Sequence, residues 1–163
     1  MNVEGILRQA DIFLDLSVEQ IQTLAGICQQ RTFDVGDILF EENSASDELY
    51  VIARGEVEIL VDPSLVSDRH QGHQSPSTIA TLRRGQSFGE IALVDQGLRS
   101  ASARIARPDT QLVIIPRDAL MQLCDLDPIL GYRLMHNLAA DLALKIRNTD
   151  LMMREKLLYA RSR

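Results

Sequence analysis

Residues 85–103 read GQSFGEIALVDQGLRSASA and set a carboxylate, Glu90, and a guanidinium, Arg99, among Gly, Ala and Ser. EIALV is long enough for one helical turn, and the free N–H groups at the start of such a turn favour an anion. Gly89 lets the backbone approach a ligand without a β-carbon in the way. Arg99 offers a fork that fits two oxygens of a phosphate better than a lysine does. Ser100 adds a hydroxyl, and the small Ala101 leaves its amide reachable. A carboxylate beside a phosphate site is a conflict, unless the ligand also presents a hydroxyl. Glu90 would then accept from a ribose 2′-OH, as an acidic side chain does in dinucleotide-binding folds. A ribose 3′,5′-cyclic phosphate places both groups this close together. The competing reading is a surface Glu–Arg ion pair worth at most about 1 kcal/mol. Spacing alone leaves both open.

The elements around this stretch are mostly strands. TFDVGDILF, LYVIARGEVEILV, STIATLRRGQSF and SASARIARPDTQLVIIP alternate or run apolar, with β-branched residues between Gly, Pro and Asp turns. ARGE is expected to be a hairpin turn between two strands. At least seven short strands follow, an antiparallel sandwich or barrel. Before them, VEQIQTLAGICQ predicts a helix from about Val18 to Gln29, with Ile21, Leu24, Ala25 and Cys28 on one face and a Ser17–Gln20 capping box. After them, Pro116 opens a short helix. Asp127 as cap and Pro128 as first residue start a longer one, expected to reach about Leu158. Leu134, Leu138, Leu142 and Ile146 form its stripe, widened by Met135, Ala139 and Ala143. A helix of about 30 residues spans roughly 45 Å, against about 40 Å for a domain of this size. Its far end, with Leu151, Met152, Met153, Leu157 and Leu158, therefore needs a cover, and a second copy of the helix is the simplest; the alternative is that the last turns fold back or fray.

The totals narrow the functions available. The 163 residues are 45% apolar and 25% charged, an ordinary folded composition, and the net charge of −6 argues against a general nucleic-acid binder. No apolar run reaches the roughly 18 residues a bilayer span needs, and the N-terminus lacks the pattern of a secretory signal, so a cytoplasmic protein without membrane contact is expected. Cys28 and Cys124 read as buried thiols. The polar segment 62–78 reads as a surface loop; His70 and His73 within it, with only Asp68 near, do not make a metal site. No nucleophile–base set is visible, and His136 has no partner in sequence. Neither catalysis nor a metal or cofactor is expected.

The stretch FGEIALVDQGLRSASA resembles the phosphate-binding cassette of cyclic-nucleotide-binding domains, a pattern of F-G-E-L-A-L followed by P-R-x-A-T/S. Phe88, Gly89, Glu90, Ala92, Leu93, Arg99, Ala101 and Ser102 match it. Upstream, FDVGDILFEENSASDELYVIARGEVEIL is similar to the family's opening strands, and the resemblance runs from about Asp11 to Leu158. It implies one domain over residues 1–163 of α+β, mainly β, class. An eight-stranded jelly-roll (double-stranded β-helix) barrel would occupy about 31–115, with an N-terminal helix and a C-terminal helix pair over about 116–158. It further implies that Glu90 binds the ribose 2′-OH and Arg99 the cyclic phosphate. Phe88 and Gly89, the amides around Ile91, Ala92 and Ala101, and the Ser100 hydroxyl would complete the cradle. Leu98 stands where the family usually has proline, which removes no ligand group. The order LRSAS also looks like the bacterial catabolite activator branch.

In this family the base is commonly covered by the C-terminal helix, often a partner's, which makes Arg147 and Thr149 candidates. The ligand expected is cAMP, with cGMP as the alternative. The expected role is a regulatory sensor, a homodimer through the C-terminal helix, that hands ligand-induced movement of that helix to an unidentified protein. Two alternatives are the N-terminal sensor of a catabolite-activator-like regulator and a nucleotide-free dimerisation scaffold. The 16 residues after Arg147 are too few for a helix-turn-helix. A haem or iron–sulfur sensor would need a cysteine cluster or a well-placed histidine.

Overall fold

The apolar runs LYVIA and LVII set the architecture, because each becomes a strand covered on both faces. In the computed structural model, which describes residues 2–45, 47–62, 76–94 and 98–161, β3 (Glu48–Arg54) pairs antiparallel with β8 (Thr110–Pro116), Tyr50 opposite Ile114. They are the inner strands of a sheet ordered β1-β8-β3-β6, with β1 at Gln29–Phe33 and β6 at Ser87–Phe88. Side chains alternate across a strand. Leu49, Val51, Ala53, Val113 and Ile115 therefore face the helices, where Leu24, Leu120, Leu134 and Leu138 bury against them. Tyr50, Ile52, Leu112 and Ile114 face the other way. There they meet Val57, Ala103 and Ile105 of a second sheet, ordered β2-β7-β4-β5. Its strands are β2 (Ile38–Phe40), β4 (Glu56–Val61), β5 (Ser77–Arg83) and β7 (Ser102–Ile105).

Eight strands in two antiparallel sheets, in this order, make a jelly roll, and the tight turns differ from expectation. Gly55 does not close a hairpin: β3 and β4 lie in different sheets. At φ +93° Gly55 passes the chain from one sheet to the other, and a β-carbon there would meet the Thr110 hydroxyl at 2.1 Å. The turns before β2, β6 and β8 cross in the same way. Of strands consecutive in sequence, only β4 and β5 pair. A residue with positive φ, glycine before β2, β4 and β6 and Asp109 before β8, suits either kind of turn, so the sequence signal was right and its meaning was not.

α1 (Val3–Leu7), a 3₁₀ turn at Asp11–Phe13 and α2 (Val18–Ala25) precede the sheets. The Ser17–Gln20 capping box forms as expected, but α2 stops four residues short of Gln29. Gly26 caps it, and residues from Gln29 are drawn into β1 by pairing with β8. Cys28 thus lies past the helix, its Sγ donating to the Leu24 carbonyl at 3.1 Å. Burial pushes this thiol up to about 12 and raises that of Cys124, so both are inert packing groups.

α4 (Arg117–Leu126) and α5 (Pro128–Arg161) follow the sheets. Asp127 caps α5, accepting from the Ile129 and Leu130 amides at 3.1 Å. The 34 residues of α5 span roughly 50 Å. Leu134 and Leu138 are buried and Leu142 partly so, but Leu144, Ile146, Leu151, Met152, Met153, Leu157 and Leu158 are exposed. The apolar stripe is thus covered only to Leu142, and from Ile146 to Leu158 every residue of the helix is exposed. No described helix is long and apolar enough to cross a membrane. His70 and His73 lie outside the described residues.

Leu134, fully buried, anchors α5 to the helix-facing side of the first sheet. Leu134→Ala should cost about 2–5 kcal/mol, the range for truncating a buried leucine. Urea unfolding monitored by circular dichroism reads this directly.

Candidate functional site

Phe88 ends β6, and its ring joins those of Phe40 and Tyr50 in one aromatic cluster, stacked on Tyr50 at 5.0 Å and tilted against Phe40 at 6.1 Å. Gly89 follows at φ +78°. A β-carbon on it would stand 2.6 Å from an Arg99 nitrogen and 3.0 Å from the Glu48 carbonyl oxygen. The glycine is required twice over, by its dihedral and by the guanidinium passing beside it. Glu90 comes next and leads into α3 (Ile91–Val94), a single turn that the Leu93 amide starts by donating to the Glu90 carbonyl at 3.0 Å.

Arg99 enters from the other side. Its backbone is clamped to the loop after β2: the Asn43 amide donates to the Arg99 carbonyl at 2.8 Å, and the Arg99 amide to the Ser44 carbonyl at 2.9 Å. The Ser102 hydroxyl accepts from the Glu42 amide at 2.9 Å, so that serine is structural. From this anchor the guanidinium runs inward over the Phe40 ring, 4.0 Å from its centroid. One terminal nitrogen donates to the Glu48 carbonyl at 3.1 Å and the other, at 3.5 Å, to the Gly89 carbonyl. Nε is buried and has no partner among the described residues. Burial pulls the group below the usual arginine value, against the opposing influence of Tyr50, Asp47, Glu48 and Glu90. The Tyr50 phenol, raised by burial and then by Glu48, donates to that carboxylate at 2.5 Å.

Glu90 and Arg99 are 7% and 5% exposed, and among the described residues no ion pair joins them. That disposes of the surface ion pair: neither group is at the surface, and each is held by something else. The carboxylate of Glu90 accepts from Lys145 of α5, 2.7 Å away, and Lys145 is shared with Asp141 one turn earlier at 2.8 Å. Burial works against the Lys145 charge, but Glu90 and Asp141 outweigh it and leave the ammonium above the ordinary lysine value.

The structure brings Phe88, Gly89 and Arg99 together at the aromatic rings, with Glu90 leading into the α3 turn of Ile91 and Ala92, and Ser100 and Ala101 next to Arg99 along the chain. It leaves Arg147 and Thr149 exposed on α5, the Thr149 hydroxyl donating to the Lys145 carbonyl at 3.0 Å. The α5 residue that reaches Glu90 is Lys145. Neither it nor the Phe40–Tyr50 platform was among the residues expected. The one sequence signal for Lys145 is its four-residue spacing from Asp141, a common helix-surface pair.

Comparison with known proteins identifies the family. The Cyclic nucleotide-binding domain family matches residues 30–127. The Cyclic AMP receptor protein of Thermus thermophilus is 32% identical over 89% of this chain, which spans 61% of that protein's length. The crystal structure of the Thermus thermophilus Catabolite Activator Protein is 32% identical, with a TM-score of 0.71, over 89% of this chain and 62% of that one. A cyclic nucleotide-binding domain from Methylobacillus flagellatus is 27% identical, with a TM-score of 0.78, over 94% of this chain and 82% of that one. The human cGMP-dependent protein kinase 2 is 26% identical over 72% of this chain but only 15% of the kinase. With the match covering β1 to α4, the chain belongs to the cyclic nucleotide-binding domain family.

Proposed function

We propose that the chain is a single regulatory domain in the cytoplasm that binds cAMP, with Arg99 taking the cyclic phosphate and Glu90 the ribose 2′-OH. The observation that carries this is the buried Arg99, set on an aromatic platform with Nε unpartnered among the described residues, on the same stretch of chain as the buried Glu90. A buried cation is costly unless its donors are used. A cyclic phosphate would use them, as a bidentate partner of the guanidinium. The amides around Ile91, Ala92 and Ala101 and the Ser100 hydroxyl complete the cradle. The preference for cAMP over cGMP rests on the Thermus relative, named for cyclic AMP; the kinase relatives are named for cGMP.

α5 is the output element in this reading. Ligand at Glu90 and Arg99 alters how α5 lies against Glu90, a shift between two populations. Arg147 and Thr149 meet the base, from this copy or a second one. The exposed apolar residues from Leu144 to Leu158 pair with the same helix of another copy, and an unidentified protein receives the change.

Isothermal titration with cAMP and cGMP tests the ligand; silence toward both at millimolar concentration would overturn the proposal. Arg99→Ala should weaken binding by at least ten- to a hundredfold, the equivalent of about 1.5–3 kcal/mol for a hydrogen bond to a charged group. Unchanged affinity would remove Arg99 from the phosphate site. A chain ended after Ile146 should sediment as a smaller species than residues 1–163, and an identical sedimentation coefficient pattern would place the dimer contact elsewhere.

A further inference from the structure

Resting on the cyclic-nucleotide reading, we propose that Lys145 is an internal competitor for the ribose site and sets how strongly the domain distinguishes a 2′-hydroxyl from its absence. The two charges come from opposite ends of the fold, 55 residues apart in sequence. Glu90 stands at the start of α3 and Lys145 on α5, beyond the buried anchors Leu134 and Leu138. Lys145 donates to Glu90 Oε1 at 2.7 Å, with the carboxylate side chain 10% exposed and the lysine side chain 39% exposed. A 2′-OH that donates to the same carboxylate must share or displace the ammonium.

The lysine has somewhere to go. Asp141 holds it at 2.8 Å from within α5, so release from Glu90 does not strand an unpaired charge. The exchange costs the Glu90 pair and keeps the Asp141 pair, which makes displacement reversible. A ligand gains only the difference between its own bond to Glu90 and the one it replaces. Lys145 thereby lowers the value of the 2′-hydroxyl and ties its recognition to the position of α5.

Loss of a positive charge near Glu90 would by itself weaken any anionic ligand. The informative quantity is therefore a ratio between two ligands of equal charge. We define discrimination as the dissociation constant of 2′-deoxy-cAMP divided by that of cAMP. The deoxy ligand makes no demand on Glu90 and leaves Lys145 in place, so its binding carries only the charge effect.

Calorimetric titration of both ligands into the full chain and into Lys145→Met should show discrimination rising roughly five- to tenfold in the variant, the scale of a partly exposed ion pair. Lys145→Ala serves as a second variant, with thermal melting of each confirming a folded domain. Discrimination that is unchanged or falls, while cAMP still binds, overturns the competitor role and leaves the nucleotide reading standing. Absence of binding by wild type and variants alike overturns the nucleotide reading, and the competitor role with it.

Discussion

The burial of Arg99 is the constraint to which the rest of this structure answers. A guanidinium does not surrender its charge at any ordinary pH, so a fold that buries one must supply donors' partners and a tolerant surface. Here the surface is the Phe40 ring with Tyr50 and Phe88 behind it, and cation–π attraction is strongest where water is excluded. The partners are backbone carbonyls of Glu48 and Gly89. Both demands reach far along the chain. The carbonyl at Glu48 starts β3, the ring of Phe40 ends β2, and the approach of the guanidinium rules out any side chain at residue 89. Three elements from two sheets thus meet where one arginine enters.

The strands were legible because burial on both faces leaves a near-continuous apolar run. β3 and β8 have no polar alternation to blur the signal, and the helix N-termini were marked by Ser17 and Asp127. Which sheet each strand joins was not legible. Gly36, Gly55 and Gly85 all take φ near +90°, and a glycine with positive φ serves a hairpin or a crossover equally. The choice between them is made by long-range pairing such as Tyr50 opposite Ile114, which no local stretch contains. The end of α2 is the same case: propensity permits helix to Gln29, and β8 claims those residues for the sheet.

The site divides along the same line. Glu90 and Arg99 stand in one continuous motif, so their types and spacing were enough to bring them together. Sequence could not tell whether they pair with each other, because that depends on where the two backbones are clamped. The Asn43 and Ser44 contacts hold Arg99 over Phe40 and away from the carboxylate. Lys145 was harder still. In LALKIRNTD the face that α5 turns toward the sheets is decided by how Leu134 and Leu138 seat against the core; a rotation of more than half a turn would have offered Arg147, and a shift of about one turn along the axis Thr149. A long helix with charges on several faces does not announce which of them is inside.

That seating also gives α5 a mechanical character. Up to Leu142 it is held by apolar packing, which is short-ranged and non-directional. Beyond Leu142 its apolar residues are uncovered, and at the boundary between these regimes Lys145 bonds to Glu90. Ligands shift a helix only through free energy that differs between its positions, and a directional, charge-assisted bond at the boundary varies more steeply with displacement than apolar packing does. Linkage then runs both ways. On the proposed reading, in which Glu90 takes the ribose, any contact on the exposed end of α5 that draws Lys145 away from Glu90 favours ribose binding by the same free energy with which ribose favours that contact. Couplings of this kind typically amount to about 1–3 kcal/mol, and an ion pair with one partner at 10% and the other at 39% exposure belongs at the lower end of that range, because solvent screens the lysine side. The domain is thereby suited to graded modulation of a binding equilibrium, since so small a coupling cannot drive an all-or-none switch.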